Sequence, residues 1–563
     1  MTAHEREFMS MKYLKAALLG ALVVLAGCAS QPPAAGAADA QAEHVAESWI
    51  VKAQQALAAG DVHQAAQDYV TAASKSTQPQ IAAQATALAW HAGETGLTEQ
   101  AAKRWLKLQP HASGPHHFLA VLALQRHDLG AATAQFQTLL QTGDRKNDFA
   151  AVTNALMVEG NPYEGFIVMR ELESRHADNP EAEYALALLA ARADHTRLAR
   201  EKVEHALALK PRWLKALTLR GQLLIDAGEP EKALAPLRAL VESSPDDAGL
   251  NVEYAQLLFD AHRPDDARKQ LQAVLAKDQQ QADALILLAL DRLDHNDEAS
   301  ASRYLTLLLE SGKKRAHAYY YLGELAAHNK DYPMALDWLR RIDGQDRTTA
   351  DDLAVAATLA QMNKLDEAQQ FLAEVRAHDP QHATALAIGE AQLLASHDEP
   401  EAGMTLLDKT IKERPADTRL LYARGMLAEQ MGHHQQALTD VKQVVRLEPE
   451  NTIALNALGY MLVEHTSQYG RARRYIEKAL SYAPHNAAII DSLGWAEFHQ
   501  GQKQAAVETL QRAHSLDDDP EISAHLVAAL RASGNHEKAR HVLKQALQKY
   551  PNAKSLKRLK SES

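Results

Sequence analysis

Cys28 is the one thiol in a chain of 563 residues. Without a second thiol there is no intramolecular disulfide, no zinc ribbon and no C-x-x-C redox pair, so whatever Cys28 does it does alone. Histidine is the more abundant reactive side chain, with 27 copies. A helical metal site uses two histidines four residues apart on one face. The pairs His116-His117 and His433-His434 are adjacent instead, and point to different sides of any helix. They read as capping or solvated residues, and no metal site is expected. His262, His295 and His328 recur every 33 residues. That spacing places each near the end of a helix, where a partly charged ring favours the negative terminus. The nucleophile elbow, the phosphate-binding loop, the dinucleotide fingerprint, the H-E-x-x-H helix and the EF-hand loop are missing from the sequence. An enzyme acting on peptidoglycan would need a clustered acid pair, and none is found in the sequence. The expectation is a protein that is not an enzyme and uses no cofactor.

Cys28 is placed by what precedes it. From Met11 the chain reads MKYLKAALLGALVVLAGC, with Lys12 and Lys15 ahead of the apolar run Ala16 to Ala26. A basic start, an apolar core and a small-residue end make a secretory signal, here residues 1–27. The run is too short for a permanent span, which takes roughly 20 apolar residues. Met9 or Met11 is the expected start, because Glu5 and Glu7 stand where a basic segment belongs. Leu25-Ala26-Gly27-Cys28 resembles the lipobox of bacterial lipoproteins. That resemblance implies cleavage between Gly27 and Cys28 and acylation of Cys28, and two or more acyl chains anchor stably where one does not. Ala29 and Ser30 follow with no Asp, which among Gram-negative lipoproteins implies the outer membrane, on its periplasmic face. Residues 28–45 then read as the lipidated cysteine and a flexible tether.

The rest of the chain repeats. Stepping by 34 from Asn179, a small residue recurs at Ala187, Gly221, Ala255, Ala289 and Gly323. Twelve residues later in each copy stand Ala199, Ala233, Ala267, Ala301 and Ala335, and four beyond those Val203, Leu237, Leu271, Leu305 and Leu339. Three coincident columns exclude chance. They match the tetratricopeptide repeat, two antiparallel helices in about 34 residues, whose small residues let backbones approach while the large one fills the neighbouring hole. The small-residue column continues through Ala368, Gly403, Ala437, Ala472, Ala506 and Ala539, and backwards to Ala132 and Ala65. Regular repeats are expected over 179–552 and degenerate ones over 46–178. Asp144-Arg-Lys-Asn-Asp148 and Asn161-Pro162 interrupt the pattern, and a basic tail over 553–563 is expected to fray. The predicted fold is all-α, a right-handed α-solenoid of about 15 helix pairs.

Composition agrees. There are 105 Ala and only 26 Gly and 20 Pro, as stacked helices require, and the net charge of −12 carries no long Lys/Arg run, so no nucleic acid partner is expected. In tetratricopeptide arrays the concave groove is lined by the first helix of each repeat. Those positions give Tyr320, Tyr321 and Glu324, then Tyr422, Met426, Asn456, Tyr460, Asp491, Trp495 and Phe498. Aromatics and Met beside polar groups suit a protein-binding surface; equally, these rings could pack on the adjacent repeat. The basic and Asn cluster with which tetratricopeptide co-chaperones clamp a terminal carboxylate is missing.

One segment is more specific. LNALGYMLVEHTSQYGRARRYIEKAL, IIDSLGWAEFHQGQKQAAVETLQRA and DPEISAHLVAALRASGNHEKARHVL, within residues 455–543, resemble the proteobacterial outer-membrane tetratricopeptide lipoproteins. That family includes the lipoprotein partner of a carboxyl-terminal processing protease. Val527 and Arg531 stand where the family pattern has Gly and Trp. The resemblance implies a lipid-anchored adaptor that holds a periplasmic serine protease and presents cell-wall hydrolases to it, the protease supplying the chemistry. The same plan also serves accessories of envelope assembly or export, for pili, outer-membrane proteins or exopolysaccharide.

Overall fold

The computed structural model describes residues 37–561 apart from 143–146, 160, 345 and 380–381. The signal segment, Gly27, Cys28 and the first part of the tether lie outside the described residues. All the regular structure described is helical, from α1 (Ala37–Ala58) to α31 (Lys554–Ser561). The helices form fifteen consecutive antiparallel pairs, each an A helix followed by a B helix, with α31 left over. Neighbours in sequence are the main packing partners, so this is the expected all-α solenoid of stacked pairs. Two compact units are distinguishable. One comprises the described residues up to Ala177 together with Ala289–Leu393; the other comprises Asp178–Leu288 together with Leu394 onward. No described helix is long and apolar enough to cross a membrane.

The repeat columns are the packing. Ala199, Ala267, Ala301, Ala335, Ala368, Ala437, Ala472 and Ala506 are all fully buried on B helices, and the large residues four places on, among them Val203, Leu271, Leu305, Leu339, Val441, Ile476 and Leu510, are buried with them. Gly494 shows why the facing A-helix residue must be small. A Cβ built on it would lie 2.6 Å from Cγ of the buried Leu510, well inside van der Waals contact. The stretch expected to be degenerate keeps the same device with different residues. Thr98 is fully buried and Gly165 is buried where the 34-residue step puts the small position. Phe136 and Met169, both fully buried, take the place of the usual Leu or Val.

Two residues of the interruptions, Asp148 and Asn161, begin helices. The Asp148 carboxylate accepts a hydrogen bond from the Ala151 amide at 2.9 Å, and the Asn161 side chain accepts one from the Glu164 amide at 2.7 Å with Pro162 in the first turn. These begin α7 (Phe149–Glu159) and α8 (Pro162–Glu173) and satisfy amides that no helix could pair internally. Among the evenly spaced histidines, His295 Nδ1 lies 2.7 Å from the Asp291 carbonyl, capping a helix end as expected, whereas His262 occupies the left-handed turn position at φ +55°.

Two expectations at the ends are corrected. The first helix begins at Ala37, inside the stretch read as tether, because the Ala-rich segment has high helix propensity. The basic tail is helical from Lys554 to Ser561: α31 turns Leu556 and Leu559 into the last core cluster, at 0% and 9% exposure, and covers the open face of the final repeat. Arg531 donates to the Leu559 carbonyl at 2.9 Å, and Val527 is fully buried. Val527 and Arg531 therefore help secure the terminal helix.

Within the second unit, residues far apart in sequence meet. His195 stacks on Tyr482 with centroids 4.4 Å apart, and its Nε2 lies 2.9 Å from the Glu450 carbonyl. Asn486 donates to the Asp194 carboxylate at 3.0 Å. Burial pushes the Asp194 carboxyl up to about 6, against the Asn486 hydrogen bond and with help from the Asp226 charge.

Candidate protein-binding face

Four A helices of the second unit carry the C-terminal candidates: α23 (Thr418–Gln430), α25 (Thr452–His465), α27 (Ala487–His499) and α29 (Pro520–Ala532). Each starts on a side-chain cap. Asp417, Asn451, Asn486 and Asp519 accept hydrogen bonds from amides two or three residues on. Because the caps recur at nearly constant spacing, equivalent side chains come into line. Five residues past the cap stand Tyr422, Asn456 and Asp491, and nine past it Met426, Tyr460 and Trp495.

The line is partly packing and partly surface. Tyr422 packs against the core cluster, and burial raises its phenol. Asp491 is buried, with its carboxylate oxygens 2.8 and 3.1 Å from His525 Nδ1 on the next A helix. Asn456 is half-buried, and its Oδ1 is buried with no hydrogen-bond partner among the described residues. Met426 is exposed. Trp495 is the centre of an aromatic group. It stacks on Phe498 (4.9 Å, 4°) and on His525 (4.1 Å, 16°), meets His499 edge-on (4.7 Å, 85°), and donates its indole N–H to Glu464 at 2.5 Å. Tyr460, Trp495 and Phe498 remain half-buried. Trp495 packs on the adjacent repeat through His525 and still reaches solvent.

The electrostatics are one-sided. Burial holds the Tyr460 phenol well above its ordinary range, and Glu464, Asp491, Glu521 and Glu429 raise it further in that order. Burial likewise pushes His499 below the usual imidazole value, against the pull of Glu464. Half-buried aromatic rings edged by carboxylates attract a cation twice, through the ring faces and through the charges.

The other three candidates lie in the first unit, on α17 (Arg315–His328). Tyr320 and Tyr321 meet edge to face at 5.3 Å. Burial raises the Tyr320 phenol, with Glu324 and Asp351 adding to it. Tyr320 packs against Val355, Leu359 and their neighbours, Tyr321 against Ala289, Leu305 and Leu322, and Glu324 is exposed.

Position-by-position reading missed Glu464, His499 and His525, which complete the aromatic group. The signal was present: His525 follows Asp491 by one repeat length, and Glu464 precedes Trp495 by 31 residues. It also missed a cluster at the end of α23. Glu429 Oε1 lies 2.5 Å from His465 Nε2, and its Oε2 lies 3.1 Å from His434 Nδ1. His434 opens α24 (His434–Leu447) and His465 closes α25. The rule applied to the His433-His434 pair looks for a second histidine on the same helix; the second histidine belongs to the next repeat.

Three family models described as tetratricopeptide repeat match residues 184–248, 224–290 and 306–552. A protein of Pseudomonas aeruginosa described as TPR repeat-containing is 36% identical over 209 residues, 37% of this chain and 35% of that protein. An FK506-binding protein-like protein of Mus musculus is 27% identical over 18% of this chain and 29% of its own length. The chain thus spans about a third of the length of the curated relatives it matches. Among solved structures, yeast Tom70 aligns over 92% of this chain and all of its own at 14% identity and a TM-score of 0.37. MamA from Desulfovibrio magneticus aligns over 29% of this chain and 93% of its own at 23% identity and a TM-score of 0.26.

Proposed function

We propose that this tetratricopeptide-repeat protein is a lipid-anchored periplasmic adaptor that binds proteins on its A-helix faces and presents cell-wall hydrolases to a carboxyl-terminal processing protease. A protein-interaction scaffold is the role such repeats generally support. The observation that carries the reading furthest is the half-buried group of Tyr460, Trp495 and Phe498, stacked on the buried His525 and edged by Glu464 and Asp491. Its chemistry suits a partner segment that offers Lys or Arg side chains. The lipobox-like end of the signal supports the anchor, and the strings within residues 455–543 support the protease partner. In this scheme Cys28 holds the chain to the outer membrane and the solenoid provides binding surface, while the partner provides the nucleophile.

The test is reconstitution. A form beginning after Cys28 should co-purify with a processing protease of the same organism and speed its cleavage of a wall hydrolase. The Trp495→Ala, Tyr460→Ala double variant should weaken that complex while leaving helicity intact. Absence of both a complex and a rate change rejects the adaptor role, and crosslinking in the native envelope that returns export or assembly components instead would install that alternative. Loss of helicity in the double variant would assign the rings to packing alone.

A further inference from the structure

We propose that Glu429, His434 and His465 form a binding site for a divalent transition-metal ion of the zinc type, which ties two successive repeats together. Among the described residues these three offer ligand atoms that all lie within 4.8 Å of one another. They come from three elements, the end of α23, the start of α24 and the end of α25, so a bound ion would link the A helices of neighbouring repeats directly. The two imidazoles stack at 3.7 Å with an angle of 21°, and one nitrogen of each faces the same carboxylate.

The ligand chemistry is specific. Two imidazoles and a carboxylate suit zinc, nickel and copper rather than calcium or magnesium, which prefer all-oxygen shells. Zinc bonds of about 2.0–2.2 Å in a tetrahedral shell place ligand atoms roughly 3.3 Å apart. The carboxylate now sits closer than that to His465 and near it to His434, and admitting the ion requires the two stacked imidazoles to turn until their nitrogen lone pairs converge. Side-chain exposures of 45% for His434, 19% for His465 and 25% for Glu429 leave an approach from solvent. Three protein ligands leave the fourth position to water. A divalent ion here would also offset one of the carboxylates that surround Tyr460, coupling the site to the aromatic face.

The probe is Zn2+ alone, titrated into the full chain carrying Cys28→Ser so that no thiol competes, in the presence of a chromophoric chelator. One tight equivalent is expected, with Co2+ giving the visible absorption of a tetrahedral site. His465→Ala and His434→Ala should each lower the affinity at least about tenfold with far-ultraviolet dichroism unchanged. Glu429→Gln keeps the shape of the site and should weaken binding in the same sense, which covers the case of a histidine variant that unfolds locally. No stoichiometric binding, or binding that persists undiminished in the His465→Ala and Glu429→Gln variants, overturns the proposal.

Discussion

Replacing Asp194 with Asn should stabilise the second unit at neutral pH and do nothing in acid. Asp194 occupies the left-handed turn before α10 (Thr196–Leu209), at φ +60°, and accepts a hydrogen bond from Asn486. Burial lifts its carboxyl from 3.8 to about 6. An acid with a raised folded-state pKa favours folding while protonated; that contribution is complete below about 4 and disappears as pH rises through about 6. At pH 7.5 the charged carboxylate is therefore a net cost. A shift of about 2 units corresponds to about 3 kcal/mol, and because the side chain is only partly buried, screening brings the expectation to about 1–3 kcal/mol. Asn tolerates the left-handed conformation and can still accept from Asn486. Denaturant unfolding of both proteins, followed by dichroism at several pH values, should show a gain for Asp194→Asn at pH 7.5 that vanishes by about pH 4. An equal effect at both ends, or no gain at pH 7.5, would refute the assignment of Asp194 as a partly buried acid whose charge costs stability.

Gly494→Ala sets helix propensity, which favours Ala by about 1 kcal/mol, against a collision with Leu510 worth about 1–3 kcal/mol; a net loss of up to about 2 kcal/mol is expected in thermal or denaturant unfolding. Gly470→Ala, where nothing lies within 4 Å, should show no loss. Leu556→Ala removes a fully buried side chain from the terminal helix and should cost about 2–5 kcal/mol, seen by hydrogen exchange as loss of protection confined to α29, α30 (His536–Lys549) and α31, since repeats stabilise one another mainly through nearest neighbours. Cys28→Ser should move the protein from the membrane fraction to the soluble fraction; unchanged membrane retention would reject lipid anchoring.

The tail and the early repeats show where sequence reading stops. Residues 553–563 look like a polar end because eight of the eleven are Lys, Arg, Glu or Ser, yet Leu556 and Leu559 at helical spacing are enough to dock α31 once the last repeat leaves an open face. Thr98 and Gly165 sit at the small position of their repeats, but neither is the alanine that the columns elsewhere present, so the period faded before the structure did. For the candidate face, Tyr460, Trp495 and Phe498 could be placed from the repeat register, whereas the stack on His525 and the indole hydrogen bond to Glu464 depend on side-chain torsions that no register specifies.

What the sequence determined alone is the helix pair and its repetition, because small and large residues recurring at one spacing can be satisfied by only one local packing, and each repeat carries all the information for its own A and B helices. What the tertiary structure decided is which polar and ionisable groups meet across those units. Asp194 finds Asn486 at a separation of 292 residues, and His434 finds His465 in the following repeat. The first encounter follows from the accumulated geometry of many stacked pairs and the second from the stacking of one repeat on the next, and no periodic pattern within one repeat encodes either.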